Sequence, residues 1–451
     1  MLITCNGTVV CFDVAAGRLR HERIGAGPAN VFVTVRGVDV RVWWRDDYAV
    51  WPLGDFGPDA CEVAAGRSGV GLTARLVGPE VYALQVDGRC LDAGPDGAIR
   101  MSEVRDRDRQ SFLLIDPDDL ERLEFVLANR WLSPVSGQPA SMPVCVAPHL
   151  LAIGDIRLSL QDVVLAVKSG AELPHDLFLP FDGWKLAHFT LFRPLAYLVA
   201  YGNAEMFRCA DIAIRSLFAF GEWDGDVLII TDDESIPFLD TLPREIRVRV
   251  KVALIPAHDV LDYTLARYRI AELGVAEMYQ PVLYLDTDVV CDAPLSGLLQ
   301  AMVFATELQA YAEKKLGHER DFYGKSLLEA DGIVISPDDQ GFSSGVFAFR
   351  NIAQQRRLFR MIIDVAYRFT SLAGRRDLHD CYDQVFFNYV LHKTKLVSGD
   401  MLKDVVTVHL NHLPLLGEAA RKGFVHFAGG VGNTTPKLTH MMRYCQLLGC
   451  G

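Results

Sequence analysis

The sequence is short of three things, and each shortage removes a class of function. Basic residues are outnumbered: 45 Lys and Arg face 57 Asp and Glu, for a net charge of −12. General nucleic-acid binding favours a basic face, so that class is set aside, although a nucleotide held through a metal is not. Paired cysteines are missing. The ten cysteines include no C-x-x-C, which argues against a zinc ribbon or a thioredoxin-like site. They are scattered through apolar sequence, read as small buried hydrophobes and suit a reducing compartment. Long apolar runs are absent too. No stretch approaches the roughly 18 residues that mark a membrane span, and residues 1–7 lack the basic flank and apolar core of a signal peptide. A cytoplasmic protein without a membrane span is the expectation.

What is present is a long chain, 451 residues, half of them hydrophobic. That suggests two or three domains. Residues 1–116 are rich in Val, Gly and Asp and read as short strands and turns, an all-β domain. A weak repeat of about forty residues runs through them. Its clearest unit is Tyr82-Ala83-Leu84-Gln85-Val86, an Asp87-Gly88 turn, Arg89-Cys90-Leu91, and a closing Gln110-Ser111-Phe112. Strand, Asp-Gly and strand make a hairpin. This unit resembles one repeat of a β-trefoil of the fascin-like or ricin-like kind, with Phe where the Q-x-W signature has Trp. Trp43, Trp44 and Trp51 would then serve either the core or a sugar ring.

Residues 117–190 read as a connector. Asp116-Pro117-Asp118-Asp119 opens a helix with Leu120, Leu123, Val126 and Leu127 on one face, and residues 133–143 form a Pro/Ser/Gly-rich linker. From residue 191 to 445 the pattern changes to strand, helix, strand. Residues 196–201, 226–231 and 248–255 are apolar strands and 205–220 a helix, which implies a mostly parallel α/β sheet. Ligands bind beyond the carboxyl ends of such strands. Val282-Leu283-Tyr284-Leu285 is a further apolar strand, and it ends in Asp286-Thr287-Asp288. In extended geometry residues i and i+2 share a face, so the two carboxylates would meet at one hard cation. The spacing alone decides little, because Asp106/Asp108, Asp116/Asp118 and Asp224/Asp226 repeat it. Only the Asp286 pair has apolar residues on both sides.

The order of segments around that pair is more specific. A helix over residues 263–273 carries Arg267 and a Glu272-Leu273 end. Leu283-Tyr284-Leu285-Asp286-Thr287-Asp288 follows, then Phe342-Ser343-Ser344-Gly345-Val346, Asp383-Gln384-Val385 and His426-Phe427-Ala428-Gly429. This series resembles the family 8 glycosyltransferases, the group of glycogenin and the lipopolysaccharide galactosyltransferases. The resemblance covers roughly residues 193–440. It implies a GT-A fold (Rossmann-like, for nucleotide-diphospho-sugars), a nucleotide-sugar donor, usually UDP-linked, a manganese requirement and retention of configuration. It further implies metal ligands at Asp286, Asp288 and His426. Donor contacts would come from Arg267, Asp286, Ser343, Ser344, Gly345 and Gly429, and Asp383 and Gln384 would lie by the reacting face of the sugar. Ser343 stands where the family has Asn, Val385 where it has a second Asp. The family's Lys-Pro-Trp has no counterpart at its usual spacing; Pro436-Lys437 lies farther along.

Read physically, two carboxylates and an imidazole suit Mn²⁺ better than Ca²⁺, with Mg²⁺ the alternative. Each residue also has an ordinary reading: His426 as a core histidine, Arg267 as a salt-bridge partner with Arg269 its rival, Asp383 as a helix cap. Residues 307–339 are polar and aperiodic, a lid or a solvated loop. The expected function is transfer of a hexose to a glycan, lipid-linked or protein acceptor. The competing reading is a carbohydrate-binding or scaffold protein with an inactive GT-A domain. A sugar nucleotidyltransferase is disfavoured, because Gly202-Asn203-Ala204-Glu205 is no basic glycine-rich loop.

Overall fold

The computed structural model describes residues 1–451 apart from 14, 17, 27–29, 37–38, 46–49, 53–71, 79–80, 87, 104–108, 134–141, 170–174, 182–184, 318–320, 375–381, 430–434 and 450–451. Two compact units are formed, Met1–Leu191 and Phe192–Gly451.

The first unit opens with eleven short strands: β1 (Leu2–Thr4), β2 (Thr8–Asp13), β3 (Arg18–Arg23), β4 (Val31–Arg36), β5 (Asp39–Arg45), β6 (Val50–Pro52), β7 (Leu72–Gly78), β8 (Val81–Val86), β9 (Arg89–Ala93), β10 (Ile99–Ser102) and β11 (Phe112–Leu114). All pair antiparallel. The path β1–β11–β8–β7–β5–β4 brings the first strand against the last, and β4 packs near β1. β2–β3 and β9–β10 are hairpins off this path. Leu2, Val31, Val42, Leu72, Leu84, Leu91 and Phe112 fill one core, so strands from along the whole of residues 1–116 contribute to it. Gly88 turns β8 into β9 at φ +79°. The side chains of Trp44 and Trp51, and residues 53–71, lie outside the described residues.

Residues 117–191 belong to this same unit. The helix Pro117–Ala128 starts as expected, with the Asp116 carboxylate accepting from the Asp119 N–H. Most of the 133–143 linker lies outside the described residues. Six strands follow or flank it: β12 (Arg130–Leu132), β13 (Val144–Ala147), β14 (Leu150–Ile153), β15 (Ile156–Ser159), β16 (Asp176–Phe181) and β17 (Lys185–Phe192). They make two small sheets, β12–β17–β16 and β13–β14–β15. Leu120, Leu123, Val126, Trp131 and Val163 pack with Ile3, Val81 and Leu113 in one core, so the connector is part of the folded body.

The second unit is built on a seven-stranded sheet. Its strands are β18 (Leu195–Val199), β19 (Asp226–Thr231), β20 (Val250–Leu254), β21 (Val282–Leu285), β23 (Leu308–Lys315), β24 (Gln340–Phe349) and β25 (Val397–Ser398), in the order β20–β19–β18–β21–β24–β23–β25. β22 (Val289–Cys291) leaves it for a second sheet with β26 (Val406–Leu410) and β27 (Phe424–Ala428), ordered β22–β27–β26. β20, β19, β18 and β21 run parallel, as the continuous apolar runs predict. The 307–339 stretch is not a plain loop: it holds β23 and a helix, Lys325–Ala330. The expected helix over 263–273 is split. Val260–Leu265 is α-helical and Ala266–Glu272 tightens to a 3₁₀ turn, while the Arg267 carbonyl accepts from the Tyr197 hydroxyl at 2.9 Å.

Candidate active site

Asp286 and Asp288 do not continue β21, as extended geometry requires. They sit on a turn, closed by the Val289 N–H donating to the Asp286 carbonyl at 3.2 Å. The reason is topological. Between Leu285 and Val289 the chain leaves the large sheet for the small one, and a bend is needed to cross. The crossing sets Val289 beside His426 in the β22–β27 ladder, and the Phe427 N–H donates to the Asp288 carbonyl at 2.9 Å. The turn therefore brings both carboxylates toward His426.

Asp286, Asp288 and His426 each offer one ligand atom, and these atoms lie within 4.8 Å of one another. His426 Nε2 is 3.3 Å from Asp288 Oδ1 and 3.9 Å from Asp286 Oδ2. Gly345 makes the room. A Cβ there would stand 2.5 Å from His426 Cε1 and 2.8 Å from Asp286 Oδ2. Gly345 is presented by a break in the β23–β24 ladder. Ala310 pairs with Phe347 but Ala312 with Phe342, so residues 343–346 bulge away from β23. Their backbone is satisfied locally instead. The Ser344 N–H donates to Gln384 Oε1 (3.1 Å), the Gly345 N–H to Ser343 Oγ (3.3 Å) and the Asp286 N–H to the Gly345 carbonyl (2.8 Å). Gln384 Nε2 in turn donates to the Phe322 carbonyl at 3.3 Å.

Behind the carboxylates lies a buried polar chain. Arg267 Nη1 donates to the Ser344 carbonyl at 2.6 Å and stands 3.3 Å from Asp286 Oδ1. Its Nε donates to the Thr264 carbonyl (2.9 Å) and lies 3.6 Å from Asp383 Oδ2. The Tyr268 hydroxyl donates to that same Asp383 oxygen at 2.6 Å, and the Tyr284 hydroxyl to Asp286 Oδ1. Arg267 and Asp383 are both buried. Burial alone would lower the Arg267 pKa, but Asp286 and Asp383 beside it raise it well above its ordinary value, so the guanidinium stays charged. Burial pushes the Asp383 carboxyl up; Arg267 and the Tyr268 hydroxyl counter this only in part. Asp383 occupies the N-cap position of the helix Gln384–Thr394 yet makes no side-chain cap bond, so the capping alternative does not describe it. Arg269, the rival of Arg267, pairs with Glu272 at the surface.

One residue of the cluster was not expected from spacing. The Lys437 ammonium contacts Asp288 Oδ2. Lys437 opens the helix Lys437–Leu448, and the intervening 430–434 lie outside the described residues. The position of Lys437 in the sequence relative to His426 does not announce this contact, because the contact depends on where the helix Lys437–Leu448 begins. Burial would raise the Asp288 pKa, but the charges of Lys437 and His426 outweigh it and hold the carboxyl far below its usual range. Burial pulls His426 down, and Asp288, with help from Asp286, more than offsets this and raises it. Gly429 follows β27 and is exposed.

The donor set fits a divalent cation. It combines two carboxylates with one imidazole, Asp288 Oδ1 is buried without a hydrogen-bond partner, and Gly345 keeps the space beside Asp286 and His426 free of side chain.

No family model and no curated protein matches the chain. Solved structures do resemble it. A galactosyltransferase, LgtC, in complex with donor and acceptor sugar analogues is 14% identical over 57% of this chain and 95% of its own, with a TM-score of 0.39. Mouse xyloside xylosyltransferase 1, apo form, is 14% identical over 54% of this chain and 99% of its own, at 0.36. The glycosyltransferase GlyE of Streptococcus pneumoniae TIGR4 is 16% identical at 0.32, and the match spans 46% of this chain and 45% of that one. Likeness at these scores carries no assignment, and the reading below rests on the site itself. Among the described residues no helix is long and apolar enough to cross a membrane.

Proposed function

We propose that the chain is a metal-dependent glycosyltransferase of the GT-A, family 8-like type. It moves a hexose from a nucleotide sugar, UDP-linked, to a hydroxyl of a glycan, lipid-linked or protein acceptor with retention. The observation that carries this reading is the convergence of Asp286, Asp288 and His426 around Gly345 at the carboxyl end of β21, where a ligand binds in sheets of this kind. Asp286, Asp288 and His426 would hold Mn²⁺, with Mg²⁺ as substitute. When bound, the ion supplies Lewis-acid stabilisation to the leaving diphosphate.

The remaining roles follow from contacts. Lys437 already faces the same point as the three ligands, and its ammonium would pass from Asp288 to a diphosphate oxygen. Arg267 engages Thr264 through Nε, and Ser344 and Asp286 through Nη1, so it would act by fixing Asp286 and the Ser343–Ser344–Gly345 bulge on which the donor sugar would lie. Asp383 keeps Arg267 charged and in place. Gln384 ties Ser344 to the Phe322 segment and thereby fixes one wall of the sugar site. Gly429 marks the rim. For residues 1–116 we propose a β-trefoil, supported by the six-strand path and flanking hairpins.

The test is donor hydrolysis or transfer with Mn²⁺, wild type against Asp288→Asn. A direct ligand should cost more than the roughly 10–100-fold typical of an outer-sphere partner. Equal activity in the two proteins would sink the proposal.

A further inference from the structure

On the face of β27 opposite His426, four polar atoms are buried without a hydrogen-bond partner: His409 Nε2, Asn411 Oδ1, Asn411 Nδ2 and His440 Nδ1. Their side chains belong to residues 5%, 1% and 2% exposed. His409 stands beside Phe427 in the parallel β26–β27 ladder, and its ring packs edge-on against Phe427 at 5.7 Å. Neighbouring residues of a strand face opposite sides, so this cluster is distinct from the carboxylate site. A buried hydrogen bond left unmade is costly, and three of these atoms, His409 Nε2, Asn411 Oδ1 and His440 Nδ1, can offer a lone pair, whereas Asn411 Nδ2 only donates.

The bond that is made shows which His440 nitrogen keeps its lone pair. His440 Nε2 lies 3.2 Å from the Asn411 carbonyl. A carbonyl only accepts, so Nε2 carries the proton and Nδ1 keeps its lone pair. This is how a metal-bound histidine is held, its second nitrogen donating to a backbone carbonyl. The His409 and His440 ring centroids are 5.0 Å apart, with planes at 56°. At ordinary metal–nitrogen lengths an ion sits roughly 3 Å from each ring centre, so one ion can serve both rings. Asn411 Oδ1 is a third candidate donor, on the residue that already orients His440.

We propose that His409, Asn411 and His440 form a second metal site, for a transition-metal ion of the Zn²⁺ or Co²⁺ type. Two imidazoles and an amide oxygen suit such ions better than Mg²⁺ or Ca²⁺. The site is independent of the reaction assigned to the first cluster. Its consequence is mechanical: it pins the helix Lys437–Leu448 to the end of β26. That helix begins with Lys437, whose ammonium meets Asp288. The second ion thus fixes the lysine of the first site from behind.

The test is Co²⁺ binding to the untagged, chelator-treated full chain, by equilibrium dialysis and visible absorption. Wild type is expected to take two equivalents, and Asp286→Asn/Asp288→Asn one. That remaining equivalent should disappear when His409→Gln or His440→Gln is added, with far-UV circular dichroism confirming that the fold survives. Should neither imidazole variant fold, the double Asn variant decides alone: Zn²⁺ must raise its Tm, and its Co²⁺ spectrum must carry nitrogen ligation. No ion retained by the double Asn variant, or an ion that stays after the imidazoles are removed, overturns the proposal and leaves ordered water as the partner.

Discussion

Gly345→Ala would put a single methyl group into the middle of the carboxylate–imidazole cluster. Gly345 is not among the glycines of positive φ, so alanine meets no conformational penalty there and the effect is steric. The new Cβ would stand 2.5 Å from His426 Cε1, 2.8 Å from Asp286 Oδ2 and 3.0 Å from His426 Nε2. Neither neighbour yields freely. His426 is buried, and Asp286 is held by Tyr284 and Arg267. Overpacking of this kind costs about 1–3 kcal/mol. Where the imidazole swings away, the same energy opposes its return as a ligand, and the Mn²⁺ dissociation constant rises roughly 5- to 150-fold. Where the bulge of β24 shifts instead, the cost appears in folding, at roughly 2–4 °C of Tm per kcal/mol for a domain of this size. Mn²⁺ binding is read by the electron paramagnetic resonance signal of the free ion, and Tm is measured in chelator. Wild-type affinity together with wild-type Tm would refute the proposed convergence on Gly345.

Three further outcomes follow from other contacts. Arg267→Leu leaves Asp383 and Asp286 without their shared cation, and should cost about 3–5 kcal/mol in urea unfolding; a loss below about 1 kcal/mol, the scale of an exposed pair, would show that the buried chain is not coupled as drawn. Asp292 accepts from the backbone N–H groups of Arg421, Lys422 and Gly423 and from the Tyr444 hydroxyl. Asp292→Ala should therefore cost at least about 3 kcal/mol, and native-state hydrogen exchange should show those three amides losing protection first. Lys437→Met frees Asp288 Oδ2 from its ammonium. It should tighten Mn²⁺ binding in the absence of nucleotide by roughly tenfold while weakening nucleotide-sugar binding, a split that isothermal titration calorimetry resolves; parallel changes in both would count against the role given to Lys437.

The parts of the second unit that could be read in advance are those whose signal is local. Asp226–Thr231 is an uninterrupted apolar run, buried on both faces, and its bounds fall where the run ends. The helix Ala204–Phe220 shows its apolar face and its Asn203 cap in the sequence itself. The ordered motifs led to the cluster although they lie on different elements: Asp286 and Asp288 just past β21, His426 on β27, Gly345 within β24, Arg267 on the 3₁₀ turn and Asp383 at a helix start. Contacts that depend on distant partners were not legible. Tyr268 and Asp383 are 115 positions apart, and nothing in either segment announces the other. Asp383 therefore read as facing the sugar, whereas its Oδ2 is taken by Tyr268 and Arg267. Lys437 was hidden by loop length, since its position depends on a helix start and not on its count from His426.

At Asp286–Asp288 the chain turns where extended geometry was expected, and the two carboxylates still converge with His426. Two carboxylates on one strand face would be held apart by the pleat and by their mutual repulsion. On a turn between two sheets they can be aimed separately. Asp286 stays with the large sheet through the Gly345 carbonyl and the Arg267 guanidinium. Asp288 goes with the small sheet, its carbonyl bonded to the Phe427 N–H, its Oδ2 to the Lys437 ammonium, and its Oδ1 3.3 Å from His426 Nε2. Each ligand is thus anchored to a different body of hydrogen bonds, and the candidate metal position lies at the seam. A D-x-D with apolar residues on both sides marks this arrangement better than a D-x-D at the end of a single strand. The residues before it belong to one sheet, the residues after it to another, and the polar pair must be where the chain crosses.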